Sequence, residues 1–193
     1  MKKLLFFVFL SLVCQQAKAE NTSLIQESKP FLGFELSSNS VGMTDGLDQD
    51  VEDSFSSVAV LLGTKIQAKT PLSFALFYQK SAKKEKSSYG WYSSEADFYA
   101  FGIDASAYFP IKKKTDLFGT LGLGRYEFSV SDNFNRSLEE EHIGARFGIG
   151  LEYKMAENLA LNGSLRYVKF DYDSKTDYIE DMTEFGIGIK MSF

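Results

Sequence analysis

Cysteine is all but missing from this chain: Cys14 stands alone among 193 residues, so no intramolecular disulfide can form. An exported chain without bridges must take its stability from other sources. Long hydrophobic runs are lacking as well. Beyond Ala19 nothing approaches the roughly 20 apolar residues of a membrane helix, and hydropathy alone would class the remainder as soluble. Basic charge is in deficit, with 21 Lys and Arg against 26 Asp and Glu and a formal net charge of −5, which argues against nucleic acid as a partner. Histidine is as scarce as cysteine: His142 is the single imidazole.

What is present begins with the one apolar run the chain has. Lys2 and Lys3 precede Leu4 to Val13, which is interrupted by Ser11, and Ala17-Lys18-Ala19 supplies an A-x-A cleavage site. This is the layout of a secretory signal peptide over residues 1–19. The run is about half the length that spans a bilayer. Ser11-Leu12-Val13 lacks the Leu and the small residue that precede a lipid-modified cysteine, so Cys14 is not read as an anchor. Cleavage after Ala19 removes Cys14 and takes the formal charge to −8. About 174 residues are left, a length that suits one domain.

Residues 20–30 form a short polar lead-in, with Pro30 at a strand entrance where a missing N–H costs least. From residue 31 onward the dominant signal is alternation. Phe31–Ser38 sets Leu32, Phe34 and Leu36 against Gly33, Glu35 and Ser37. The same period recurs in Ser57–Gln67, Leu72–Lys80, Ala96–Phe109, His142–Lys154, Leu159–Phe170 and Met182–Phe193. Leu117–Val130 leaves its facing open, because Leu117, Leu121 and Leu123 compete with Phe118, Tyr126 and Phe128. Ala68–Pro71, Pro110–Asp116 and Met155–Asn158 are short connections rich in turn formers. They alternate with longer polar stretches, Asn39–Ser56, Ser81–Glu95, Ser131–Glu141 and Asp171–Asp181.

The final segment places Phe185, Ile187, Ile189, Met191 and Phe193 on one face, with Gly186, Gly188, Lys190 and Ser192 between them. This ending resembles the assembly signal of bacterial outer-membrane β-barrel proteins. Gly188, Met191 and Phe193 match that signal, while Gly186 stands where the family more often carries a polar residue. Over residues 31–193 the chain resembles the small OmpA/OmpX-like barrel family, often labelled porin family. The resemblance implies an all-β fold: an eight-stranded antiparallel transmembrane up-and-down β-barrel with short periplasmic turns and longer extracellular loops. It also implies residence in the Gram-negative outer membrane. Expected partners are outer-membrane lipid and lipopolysaccharide, the barrel-assembly machinery with periplasmic chaperones, and a surface ligand met through the loops. No cofactor is expected.

The face opposite the apolar one carries Glu35, Lys65, Asp104, Arg146, Glu152, Arg166, Glu184 and Lys190. A soluble lipocalin-type barrel would hide its apolar face and show its charges outside. Four acids and four bases suit ion pairs filling a narrow polar lumen instead, with charges facing water at the rims as the simpler reading. Tyr78, Tyr99, Phe109, Tyr153, Tyr167 and Phe193 fall near strand ends, where interfacial girdles belong.

The functional classes follow from these residues. A structural, adhesion or surface-interaction role leads, with loops on a stable platform. A small-solute pore is the alternative, although eight strands enclose an interior just wide enough for side chains. A lipid-modifying enzyme ranks last. In the lipid A deacylase type a Ser stands two residues after the His, and here that place is Gly144, so no catalytic residue is assigned. Asp45, Asp48, Asp50, Glu52 and Asp53 crowd the first loop without the EF-hand spacing, and no metal site is assigned. Lys80, Lys83, Lys84 and Lys86 could pair with lipopolysaccharide phosphates or form a solvated charge run.

Overall fold

A computed structural model describes residues 27–43, 53–88, 92–132, 137–171 and 179–193. Its elements are β1 (Glu27–Met43), β2 (Ser54–Gln67), β3 (Leu72–Ser81), β4 (Lys84–Ser88), β5 (Tyr92–Lys112), β6 (Thr115–Asp132), β7 (Ser137–Lys154), β8 (Leu159–Phe170) and β9 (Ile179–Ser192). Apart from β3 and β4, sequential strands pair antiparallel, and β1 pairs with β9 from Phe31↔Ser192 to Met43↔Ile179. Pairing of β3 with β5 completes the ring. The short β4 continues the line of β3 above Ala82 and Lys83 and pairs with the upper end of β5. The wall is therefore a closed, eight-stranded antiparallel barrel. Closure gives every wall strand two neighbours, which is the condition for a sheet to stand in lipid.

Short connections gather at one end. Ala68–Pro71 joins β2 to β3, Lys113-Lys114 joins β5 to β6, and Met155–Asn158 joins β7 to β8. The Phe193 amide donates to the Pro30 carbonyl at 2.9 Å, so the outer ends of β1 and β9 meet there too. This is the periplasmic end.

Facing follows the expected alternation. Leu36 is 66% exposed and Ile149 is 64% exposed, while Glu35 and Arg146 point inward and are buried. On β6 the open choice is resolved: Leu117 and Leu123 face outward, and Phe118, Tyr126 and Phe128 face inward. Both sets are strictly periodic. They compete in the sequence because each face of β6 is apolar over part of its length.

The strands run well beyond the segments expected for them. β1 reaches Met43, β2 begins at Ser54, β5 at Tyr92 and β7 at Ser137, so much of the stretches read as loops is sheet. Ser81–Glu95, expected to be loop throughout, contains β4 and the start of β5. The physical reason is a reversal of pattern along each strand. Near the periplasm the apolar side chains point out and the polar ones in. Toward the other end Ser38, Ser40, Glu139 and Glu141 point out, and Phe55, Phe98, Phe128 and Phe170 point in. An apolar-outward template stops where that reversal starts, although the backbone ladder does not.

Glycine on the inner wall makes room for what fills the barrel. A Cβ at Gly122 would collide with the Asp104 carboxylate, and one at Gly186 would lie 2.6 Å from a Glu35 carboxylate oxygen. Gly150 gives the same clearance to the Phe118 ring.

Candidate functional site

The interior is stacked in three levels. At the periplasmic mouth Lys65 (β2) donates to Glu152 Oε1 (β7) at 2.6 Å, and Lys190 (β9) donates to Glu152 Oε2 at 3.3 Å. Lys190 also donates to the Tyr108 hydroxyl at 3.0 Å, and the Lys65 ammonium sits 3.6 Å from the centre of the Tyr108 ring. That geometry is a cation–π contact as well as a clamp on one carboxylate. Asp116 joins this level, 3.0 Å from Lys154 and 3.8 Å from Lys65.

The middle level is built on two guanidinium groups. Arg146 (β7) donates to Asp104 (β5) at 3.1 Å and to Glu184 (β9) at 2.8 Å, with its guanidinium 3.9 Å over the Phe77 ring. Arg166 (β8) grips Glu35 (β1) with both terminal nitrogens, the Nη2 bond measuring 2.6 Å, and lies 3.7 Å from Glu184. Two-pronged arginine–carboxylate pairs are among the stronger charge-assisted bonds. Glu184 is fully buried between the two arginines. The level thus ties together strands from around the ring. Such pairs offset rather than exceed their desolvation cost, yet loss of one partner strands a buried charge.

All eight side chains expected in the lumen lie on its wall: Glu35, Asp104, Arg146, Arg166 and Glu184 in the middle level, Lys65, Glu152 and Lys190 at the mouth. Asp116 and Tyr108 belong with them and were missed. In the sequence Asp116 reads as a turn residue, although it has the inward parity of Phe118 once the facing of β6 is known.

Above the charges lies an apolar cap. Phe98 packs on Phe55 at 5.7 Å and on Phe128 at 5.4 Å between ring centres, and Phe170 packs on Phe128 at 5.6 Å and Tyr126 at 5.0 Å. Val168, Ile179 and Met182 complete it. To one side Gln79 and Asn39 both donate to Ser57 Oγ at 2.8 Å. His142, expected at a polar rim, is buried in this cap between Phe128 and Phe170, with Glu140 Oε2 3.3 Å from its Nε2. The imidazole faces the interior and not the lipid surface.

The outer face carries two aromatic belts. Phe109, Tyr153 and Phe193 mark the periplasmic edge and Tyr78, Tyr99 and Tyr167 the other. Tyr99 donates to Glu127, and Tyr167 donates to Asp181 at 2.9 Å, so these hydroxyls reach the polar zone above the apolar wall. Of the residues that resemble an assembly signal, Gly188 faces inward, while Met191 and Phe193 face outward. Beyond the belt, Lys83 is paired with Glu95 at 2.8 Å, which holds its ammonium pKa above the ordinary lysine value. Asp53 is exposed; Asp45, Asp48, Asp50 and Glu52 lie outside the described residues, as does the expected signal peptide.

Comparison with known proteins adds the following. A family model, the outer membrane protein beta-barrel domain, matches residues 5–193. The attachment invasion locus protein of Yersinia pseudotuberculosis is 28% identical over 95 residues, covering 49% of this chain and 52% of that protein. The chain thus spans about half the length of that curated relative. The crystal structure of Neisserial surface protein A superposes with a TM-score of 0.64 at 15% identity, over 87% of this chain and 100% of that one. The attachment invasion locus protein of Yersinia pestis, in complex with the heparin analogue sucrose octasulfate, gives 0.54 at 16% identity, over 86% and 97%. At such identities the structural likeness establishes the fold alone.

Proposed function

The chain belongs to the outer membrane protein beta-barrel family, an integral protein of the Gram-negative outer membrane, and from that premise we propose that it serves as a plugged platform for attachment at the cell surface. The observation that carries this reading is the filled interior. Ion pairs occupy the lower and middle levels and packed aromatics close the upper one. The strands meanwhile continue past the outer aromatic belt as a rigid extension, topped on one side by the β4–β5 hairpin. Energy placed in that extension holds a surface for contact rather than a passage for solutes. The relative from Yersinia pseudotuberculosis is named for attachment and invasion, which agrees with this role.

The ligand chemistry would differ from that of the Yersinia pestis protein, which was crystallised with a polysulfated sugar. Here Glu95, Asp97, Glu127, Glu139, Glu141 and Asp171 line the outer surface of the extension, favouring a basic partner. Cells displaying the barrel should bind host-cell monolayers, and replacement of Glu95, Glu139 and Glu141 by glutamine should reduce binding. Equal binding by barrel-free cells would remove the reading. In planar bilayers the purified protein should give no steady conductance; reproducible steps altered by Arg146→Ala would make the small-solute pore the better one.

Biogenesis is part of the same proposal. The leader would be cleaved after Ala19, and periplasmic chaperones would pass the chain to the barrel-assembly machinery, which would read Gly188, Met191 and Phe193. Deletion of Phe193 should impair insertion more than deletion of any loop tip. Equal amounts of heat-modifiable folded protein from both deletions would contradict this.

A further inference from the structure

The periplasmic end has a charge arrangement that plugging and attachment leave unexplained. Its acidic side chains turn inward: Asp116 and Glu152 are buried and paired with Lys65, Lys154 and Lys190. Lys29 lines the mouth beside Lys65, and four further lysines turn outward. Lys69 in the β2–β3 turn and Lys112, Lys113 and Lys114 at the β5–β6 turn are exposed, and no ion pair among the described residues engages them. Glu157 is the one exposed carboxylate among the side chains described at this end.

These lysines stand at the rim of the apolar wall. Ile111 (56% exposed) and Phe109 point outward on the strand that leads into Lys112, and Met155 and Tyr153 do so on neighbouring β7 and its turn. The Lys154 amide donates to the Lys114 carbonyl at 2.8 Å, which locks the two turns side by side. Side chains in the acyl layer therefore fix the depth of the turns, and lysine stems are long enough to carry their ammonium groups to the headgroup plane. The opposite rim is rich in carboxylates, so the barrel is polarised along its axis.

We propose that this lysine collar binds the phosphate headgroups of anionic phospholipids in the periplasmic leaflet. The occupant is a lipid and not a soluble anion, because the strand ends beside the β5–β6 lysines, at Phe109, Ile111 and Tyr153, carry exposed apolar side chains. A basic collar in contact with an anionic leaflet gains on the order of a few-fold in local lipid preference per lysine. The two ends then seat in chemically different surfaces, and inversion of the barrel in the membrane would set each rim against the wrong one.

The test measures lipid selectivity of the purified barrel in phosphatidylcholine bilayers, using trace spin-labelled phosphatidylglycerol or phosphatidylcholine. Phosphatidylglycerol should associate about five-fold more strongly at low salt. In the wild-type barrel that preference should shrink in 1 M salt, since the collar is exposed. It should fall to near unity in K69Q/K112Q/K113Q/K114Q, checked for folding by its gel shift, and persist in K80Q/K83Q at the other rim. No preference in the wild-type barrel, a preference insensitive to salt, or one retained by the quadruple variant would each overturn the proposal.

Discussion

The membrane half and the extracellular half of this barrel share the same strands but obey opposite rules. In the membrane half lipid covers the outside, so Leu36, Ile149 and Ile187 face outward and the inside holds Arg146, Arg166 and Glu184. In the upper half water covers the outside, so Glu139 and Glu141 face outward and Phe98, Phe128 and Phe170 fill the inside. Nothing in the backbone marks the border; β7 crosses it between Glu141 and Ile143 without a break in its pairing to β6. Solvent, and not secondary structure, decides which side chains belong inside. The upper half is a small soluble barrel built on top of a membrane one.

The contrast can be broken most severely at its charged centre. Arg146→Met leaves Asp104 and Glu184 buried without that partner and should cost about 3–5 kcal/mol, measured by urea unfolding in bilayers. The triple change D104N/R146M/E184Q removes the stranded charges and should regain most of that loss. If the single and triple variants are equally unstable, the pairing account fails.

In the upper half the comparable lesion is apolar. Phe98→Ala removes a ring packed on Phe55 and Phe128 and should cost about 3 kcal/mol, as in a soluble core. A loss below about 1 kcal/mol, a value typical of surface positions, would show the cap to be loosely held.

Outward positions sharpen the border itself. Ile149→Arg places a charge in the lipid-facing wall and should cost about 2–4 kcal/mol. Glu139→Arg on the same strand above the border should change stability by no more than about 0.5 kcal/mol. Similar costs at both positions would move the membrane boundary. A comparably small effect belongs to Arg125, whose exposed pair with Glu141 measures 2.5 Å. Arg125→Ala should cost less than about 1 kcal/mol by the same unfolding assay, against several for Arg146.

How far these features are legible in the sequence depends on the half concerned. In the membrane half, parity alone assigns Glu35, Arg146 and Arg166 to the inner face, because each stands between lipid-facing residues. Parity does not say that Arg166 reaches Glu35 while Arg146 reaches Asp104; that follows from register and shear around the ring. Asp116 escapes because it lies beside Lys112 to Lys114 and reads as turn. In the upper half the alternation of Phe128 and Val130 against Glu127 and Ser129 is present, but its sense is inverted. The cap and the added strand length are therefore invisible to a search for apolar outward faces. The Lys84–Ser88 strand, Lys-Glu-Lys-Ser-Ser, has no apolar alternation at all and owes its form to the ladder with β5.

The β1–β9 seam has a kinetic consequence. Phe31 pairs with Ser192, so the wall is joined by the most distant parts of the strand sequence. Contacts of such separation form late, since the loop between them must first be ordered. Until they form, β1 and β9 each present a row of unmatched amide and carbonyl groups. Lipid cannot accept those edges, and in water they invite pairing with other chains. Partly built barrels are thus short of a stable home in either phase, and insertion and closure become a single event with one barrier.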